Sequence, residues 1–139
     1  MQTLFVDTAA WIGLEVVNDQ NHQAALQFRQ RSGRTYRWVT TNWIIWETVT
    51  WLRRRVDHAA AVRFGERVWT SSRLDIVSVT SDHEASAWKI FRRYRDKDFG
   101  YVDCSSFAVM QALRIDVAFS FDTHFRQAGF PVLPEQFEG

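Results

Sequence analysis

Two hydrophobic periods alternate along this chain, and the switches between them lay out its elements. Short apolar-rich runs at residues 4–6, 36–39, 74–79, 117–121 and 131–133 read as buried strands. Between them the apolar positions fall at helical spacing. A helix over 8–14 starts directly off the first strand. A second over 21–31 carries Ala24, Ala25 and Phe28 on one side and ends at Ser32-Gly33. Thr40-Thr41-Asn42 offers N-cap side chains for a helix over 43–55, and Asp57 for one running through Trp69 with Ala61, Phe64 and Val68 turned inward. Ser81 or Asp82 caps a helix bearing Ala87, Trp88, Phe91 and Tyr94. A loop over 96–102 leads into a helix over 103–114. A short helical turn after Asp122 precedes the last strand. The order β-α-α-β-α-α-β-α-α-β-α-β predicts one α/β domain over residues 1–139. Its mostly parallel central sheet of four to five strands carries helices on both faces, a three-layer α/β/α stack.

Four acids interrupt this pattern where a carboxylate is expensive to keep. Asp7 closes the first strand and Asp122 closes 117–121; Asp103 opens a helix; Glu47 lies one turn from both Trp43 and Trp51. In open parallel sheets ligands bind beyond the carboxyl ends of the strands, and all four acids can reach that edge. Singly, Asp7, Asp103 and Asp122 each read as an N-cap. Glu47 has Ile44 at i−3, tryptophans at i±4 and no basic residue on its stripe, so its charge calls for a cation from elsewhere. Brought together, the four form a cage of hard oxygen ligands, which suits a divalent metal.

Composition narrows the class. Apolar residues make up 46% of the chain, enough for a core at this length. The formal charge of +1 announces no global basic field. Of the basic residues only Lys89 and Lys97 are lysines; the arginines cluster at Arg53-Arg54-Arg55, at Arg92, Arg93 and Arg95, and at Arg29, Arg31, Arg34 and Arg37. Such clusters suit bidentate phosphate contact, or are simply solvated helix faces. The single cysteine, Cys104, permits no internal disulfide, fits a reducing cytoplasm and reads as a small buried residue. No signal peptide or membrane-spanning run is expected. His22, His58, His83 and His124 lack the spacing of a zinc helix, and His124 reads as a loop or helix-start residue that could alternatively touch RNA. A Ser-hydrolase elbow and a Gly-rich phosphate loop are both missing. Trp43, Trp46 and Trp51 share one helix and cannot all face one core, which leaves one or two for a partner surface or for neighbouring helices.

Four segments in order resemble the PIN-domain proteins of the VapC toxin type: Val6-Asp7-Thr8-Ala9-Ala10-Trp11, the Thr40-to-Glu47 helix start, Tyr101-Val102-Asp103, and Ser120-Phe121-Asp122-Thr123-His124-Phe125. The resemblance spans about residues 4–130. It departs from the family pattern at Gly100 and Tyr101, where many relatives have Ser or Thr. It implies a PIN-like fold and a metal-dependent ribonuclease, usually a toxin neutralised by a cognate VapB-like antitoxin and assembled as a homodimer. In that role Asp7 and Asp103 hold Mg²⁺ or Mn²⁺, and Asp122 completes the shell directly or through water. Glu47 orients the attacking water or binds a second metal, while Thr8 and Ser120 offer hydroxyls for supporting hydrogen bonds or phosphate contact. Alternatives are a PIN-like RNA-processing nuclease without a toxin role, and a non-catalytic RNA- or protein-binding PIN domain. A phosphoacceptor signalling domain, which also gathers acids at strand ends, lacks its lysine after the fourth strand.

Overall fold

The computed structural model describes residues 1–135. Five strands, β1 (Gln2–Val6), β2 (Tyr36–Thr41), β3 (Leu74–Val77), β4 (Val117–Phe119) and β5 (Val132–Leu133), form one sheet in the order β3-β2-β1-β4-β5. Every pairing is parallel, so the sheet is wholly rather than mostly parallel. Seven helices connect the strands: α1 (Thr8–Glu15), α2 (His22–Ser32), α3 (Asn42–Arg55), α4 (His58–Thr70), α5 (Ser81–Arg93), α6 (Tyr101–Leu113) and α7 (His124–Gln127).

Strand register sorts the core into two layers. Leu4 and Val6 pair with Val117 and Phe119, while Phe5 pairs with Ala118, so alternate residues face opposite sides. On one side Phe119 meets Phe28 of α2 and Trp38 of β2, and Trp38 meets Trp11 of α1. On the other, Phe5 meets Phe125 of α7, which packs edge-on against Phe107 of α6. Leu4, Phe5, Val6, Phe107, Phe119 and Phe125 are all buried. Gly13 marks a close approach: a Cβ there would sit 3.3 Å from both Ala25 and Phe121.

Several boundaries differ from the sequence expectation, each for a local reason. Helix α5 is capped by Thr80, not by Ser81 or Asp82. The Thr80 hydroxyl accepts from the His83 amide and the His83 ring accepts from the Thr80 amide, a reciprocal box. Helix α6 begins at Tyr101 instead of Asp103, with Gly100 as N-cap, which places Asp103 inside the first turn. Strand β3 stops at Val77, and the amide of Val79 bonds instead to the Asn42 side chain. Strand β4 ends at Phe119, because the Ser120 side chain turns the chain by accepting from the Asp122 amide.

Only β1 and β4 are neighbours at which the chain switches direction across the sheet: β2 and β3 extend one way from β1, β4 and β5 the other. A crevice at the carboxyl ends of such a pair is where open α/β sheets place ligands.

Candidate active site

Asp7 directly follows β1 at that switch point, and its carboxylate is buried. The Ser120 hydroxyl, itself fully buried, donates to Asp7 Oδ2 at 2.7 Å and accepts the Asp122 amide at 3.0 Å. One side chain thus ties the ends of β1 and β4 together. Ser120 has no surface to offer a substrate, so of its two expected uses the structure supports the supporting hydrogen bond.

Asp103 reaches the crevice from the first turn of α6. Its Oδ2 accepts the Gly100 amide at 3.0 Å and faces His124 Nδ1 at 2.8 Å. Gly100 and Tyr101, where the sequence departs from the family pattern, leave this backbone bond in place, since it needs no side chain at residue 100. His124 Nδ1 also lies 3.2 Å from Asp122 Oδ2, and Asp122 Oδ1 accepts the His124 amide. Asp103, Asp122 and His124 each bring a ligand atom within 4.8 Å of the others. His124 is the first residue of α7, the helix-start position the sequence suggested, and it also belongs to the acid cluster. Its nearness to Asp122 was the available signal, but only the α6–α7 contact puts its ring on Asp103 as well.

Glu47 corrects part of the sequence argument. The buried stripe of α3 is Ile44, Ile45, Thr48 and Leu52, and Glu47 lies beside it as an exposed residue. Its carboxylate is nonetheless engaged, since Thr8 Oγ1 donates to Glu47 Oε2 at 2.7 Å. Trp46 is 54% exposed and packs on Trp69, and Trp43 packs on Tyr101. A groove of about 530 Å³ beside Glu47 is lined by Trp43, Trp46, Trp51, Arg54 and Arg55.

The electrostatics fit a cation. Burial, followed by the charges of Asp103 and Asp122 against the opposing Ser120 bond, pushes Asp7 from 3.8 to about 7. Partial desolvation raises Glu47 and Asp103 too, with nearby acids adding to both. Among the described residues no Lys or Arg pairs with any of the four acids. The donors are hard carboxylate oxygens with one imidazole, a set that could hold a divalent metal. Cys104 stands apart: it is buried, and burial first and the Asp103 charge second push its thiol up to about 11.

The PIN domain model matches residues 4–131. This chain belongs to the PIN-domain family. It is 36% identical over 133 residues to the 23S rRNA-specific endonuclease VapC20 of Mycobacterium tuberculosis, covering 95% of this chain and 99% of that protein. The crystal structure of VapC20, a sarcin-ricin loop cleaving toxin, matches with a TM-score of 0.83 at 34% identity, over 92% of this chain and 96% of that one. A toxin–antitoxin complex from Klebsiella pneumoniae shares the fold at TM-score 0.65 and 15% identity, over 97% of this chain and 100% of that one. FitAcB from Neisseria gonorrhoeae does so at 0.68 and 14%, over 94% and 96%. Among the described residues no helix is long and apolar enough to cross a membrane.

Proposed function

We propose that this PIN-domain protein is a divalent-metal-dependent endoribonuclease, the toxin of a toxin–antitoxin pair, acting on ribosomal RNA as VapC20 does. One observation carries the reading: at the β1–β4 switch point Asp103 and Asp122 cluster with His124, Asp7 lies near enough to feel both their charges, and among the described residues no Lys or Arg pairs with any of these acids. Asp7 and Asp103 are the expected metal ligands, with Asp122 and His124 close enough to share the site. A bound Mg²⁺ or Mn²⁺ supplies charge neutralisation at a phosphate oxygen and a more acidic water. The chain's own residues do the rest. Ser120 fixes the rotamer of Asp7, the Gly100 amide fixes Asp103, and Thr8 holds Glu47 at the rim, where a carboxylate can orient a water for in-line attack. In the tautomer with hydrogen on Nδ1, His124 can donate a hydrogen bond to Asp103 Oδ2 when no cation is present, and so hold the acids together.

An antitoxin fits the groove beside Glu47, which offers apolar and aromatic walls to an anchoring side chain. A basic residue from the antitoxin, placed among the acids, would neutralise them in place of the metal. Homodimer assembly belongs to the same reading, and the stacked pair Trp88 and Phe91, 49% and 42% exposed, supplies apolar area for it. The test is cleavage of 23S rRNA in intact ribosomes by purified protein, with Mg²⁺ and with chelator, beside Asp103→Asn. Metal-dependent cutting at one position, lost in the variant, is expected. Cutting that ignores chelator, or that persists in Asp103→Asn, refutes the assignment.

A further inference from the structure

A second cavity, of about 600 Å³, opens at the opposite end of the molecule, and the nuclease reading does not use it. It lies at the amino edge of the sheet, where β2 begins at Tyr36 and β3 at Leu74. The acids lie at the carboxyl edge, one strand length away, about 15–20 Å. Its volume is that of a small-ligand site.

Its walls combine two chemistries. Tyr36 and Trp38, both partly exposed, supply aromatic surface beside Leu74, with the buried Trp11, Leu14 and Val68 behind them. Around these stand Arg29, Arg34, Arg37, Arg67 and Arg73, against the single carboxylate of Glu15. Part of this charge is already answered. Arg67 pairs with Glu15, and Arg37 makes a bidentate pair with Asp75. Arg29 and Arg67 also sit in the last turns of α2 and α4, where cations complement the helix dipole. Arg34 and Arg73 lie in the turns just past the C-caps of α2 and α4, are exposed, and pair with no acid among the described residues.

We propose that this cavity binds a nucleoside phosphate, its base against the aromatic walls and its phosphates held by Arg34 and Arg73. Guanidinium forks match phosphate oxygens, and aromatic faces take any base. The same chemistry is offered by a free nucleotide and by a nucleotide of an RNA strand.

The test uses the full-length Asp103→Asn protein in chelator, which removes turnover and metal-mediated binding at the acid cluster. Titration calorimetry is run with ATP, GTP, pyrophosphate, adenosine and a short single-stranded RNA. One saturable site per chain for ATP or GTP is expected below about 1 mM, with pyrophosphate and adenosine each at least about tenfold weaker. The double variant Arg34→Gln/Arg73→Gln, both exposed positions, should weaken binding about tenfold or more, and Arg92→Gln on the exposed end of α5 should leave it unchanged. Binding of the RNA alone, weakened by the same double variant, supports the site with a strand as the source. No saturable binding of any probe overturns the proposal. So does binding that the double variant leaves intact, or pyrophosphate binding as tight as that of ATP.

Discussion

Asp7→Asn should make the metal-free protein more stable, and the gain should grow with pH. In the folded chain Asp7 titrates near 7 against an ordinary value of 3.8, first because it is buried and then because Asp103 and Asp122 repel its charge. A group whose folded pKa is raised favours the fold below its unfolded pKa. That contribution is lost as pH rises toward the folded value. At about 1.4 kcal/mol per pH unit, ionising Asp7 inside the protein costs on the order of 4 kcal/mol by pH 8. By pH 4 the same linkage leaves under about 1 kcal/mol. Asn keeps the shape and can still accept from Ser120, but it loses the charge-assisted share of that bond, about 1 kcal/mol. A net gain of about 3 kcal/mol at pH 8 is therefore expected in chelator, nearly vanishing at pH 4. Urea melts of wild type and variant at the two pH values measure it. Adding Mn²⁺ should reverse the order, because the variant loses a charged ligand. A variant less stable than wild type at pH 8 in chelator, or a difference that does not change with pH, would show that Asp7 is not the buried, repelled carboxylate described above.

Three further outcomes follow from the same geometry. Mg²⁺ or Mn²⁺ at millimolar concentration should raise the melting temperature of wild type but not of Asp7→Asn/Asp103→Asn, read by differential scanning fluorimetry; equal shifts in both would place the ion elsewhere. Ser120→Ala should fold, yet lose roughly 10–100-fold in Mn²⁺ affinity, since it frees Asp7 and unties it from the Asp122 turn; unchanged affinity by calorimetry would make Ser120 only a strand-end linker. Gly13→Val should destabilise by about 1–3 kcal/mol in chemical denaturation, because the added atoms press on Ala25 and Phe121, and a neutral result would mean that the α1–α2 contact yields easily.

The period of the hydrophobic pattern by itself determined the element order and the parallel sheet, because strand and helix spacing are local properties of the chain. It also determined that Asp7 and Asp122 share the carboxyl edge: each ends a run that must be a strand, and parallel strands all end on one side. Tertiary structure alone decided the connections between elements. Ser120 meets Asp7 across 113 residues, and Thr8 meets Glu47 across 39. No local signal encodes either contact, because each depends on which strands and helices become neighbours. Trp43 and Trp51, one turn either side of Glu47, suggest an apolar stripe there; the helix instead turns Ile44, Ile45, Thr48 and Leu52 inward, since the neighbouring sheet and helices, not the sequence of α3, set which arc is covered. His124 joined the acids for the same reason: α6 and α7 come together through Phe107 and Phe125, and only that packing carries the His124 ring to Asp103. The cavity at the amino edge was equally hidden. Its arginines come from α2, β2, α4 and the loops that follow α2 and α4, and a parallel sheet gathers such loops at one end only once it has formed.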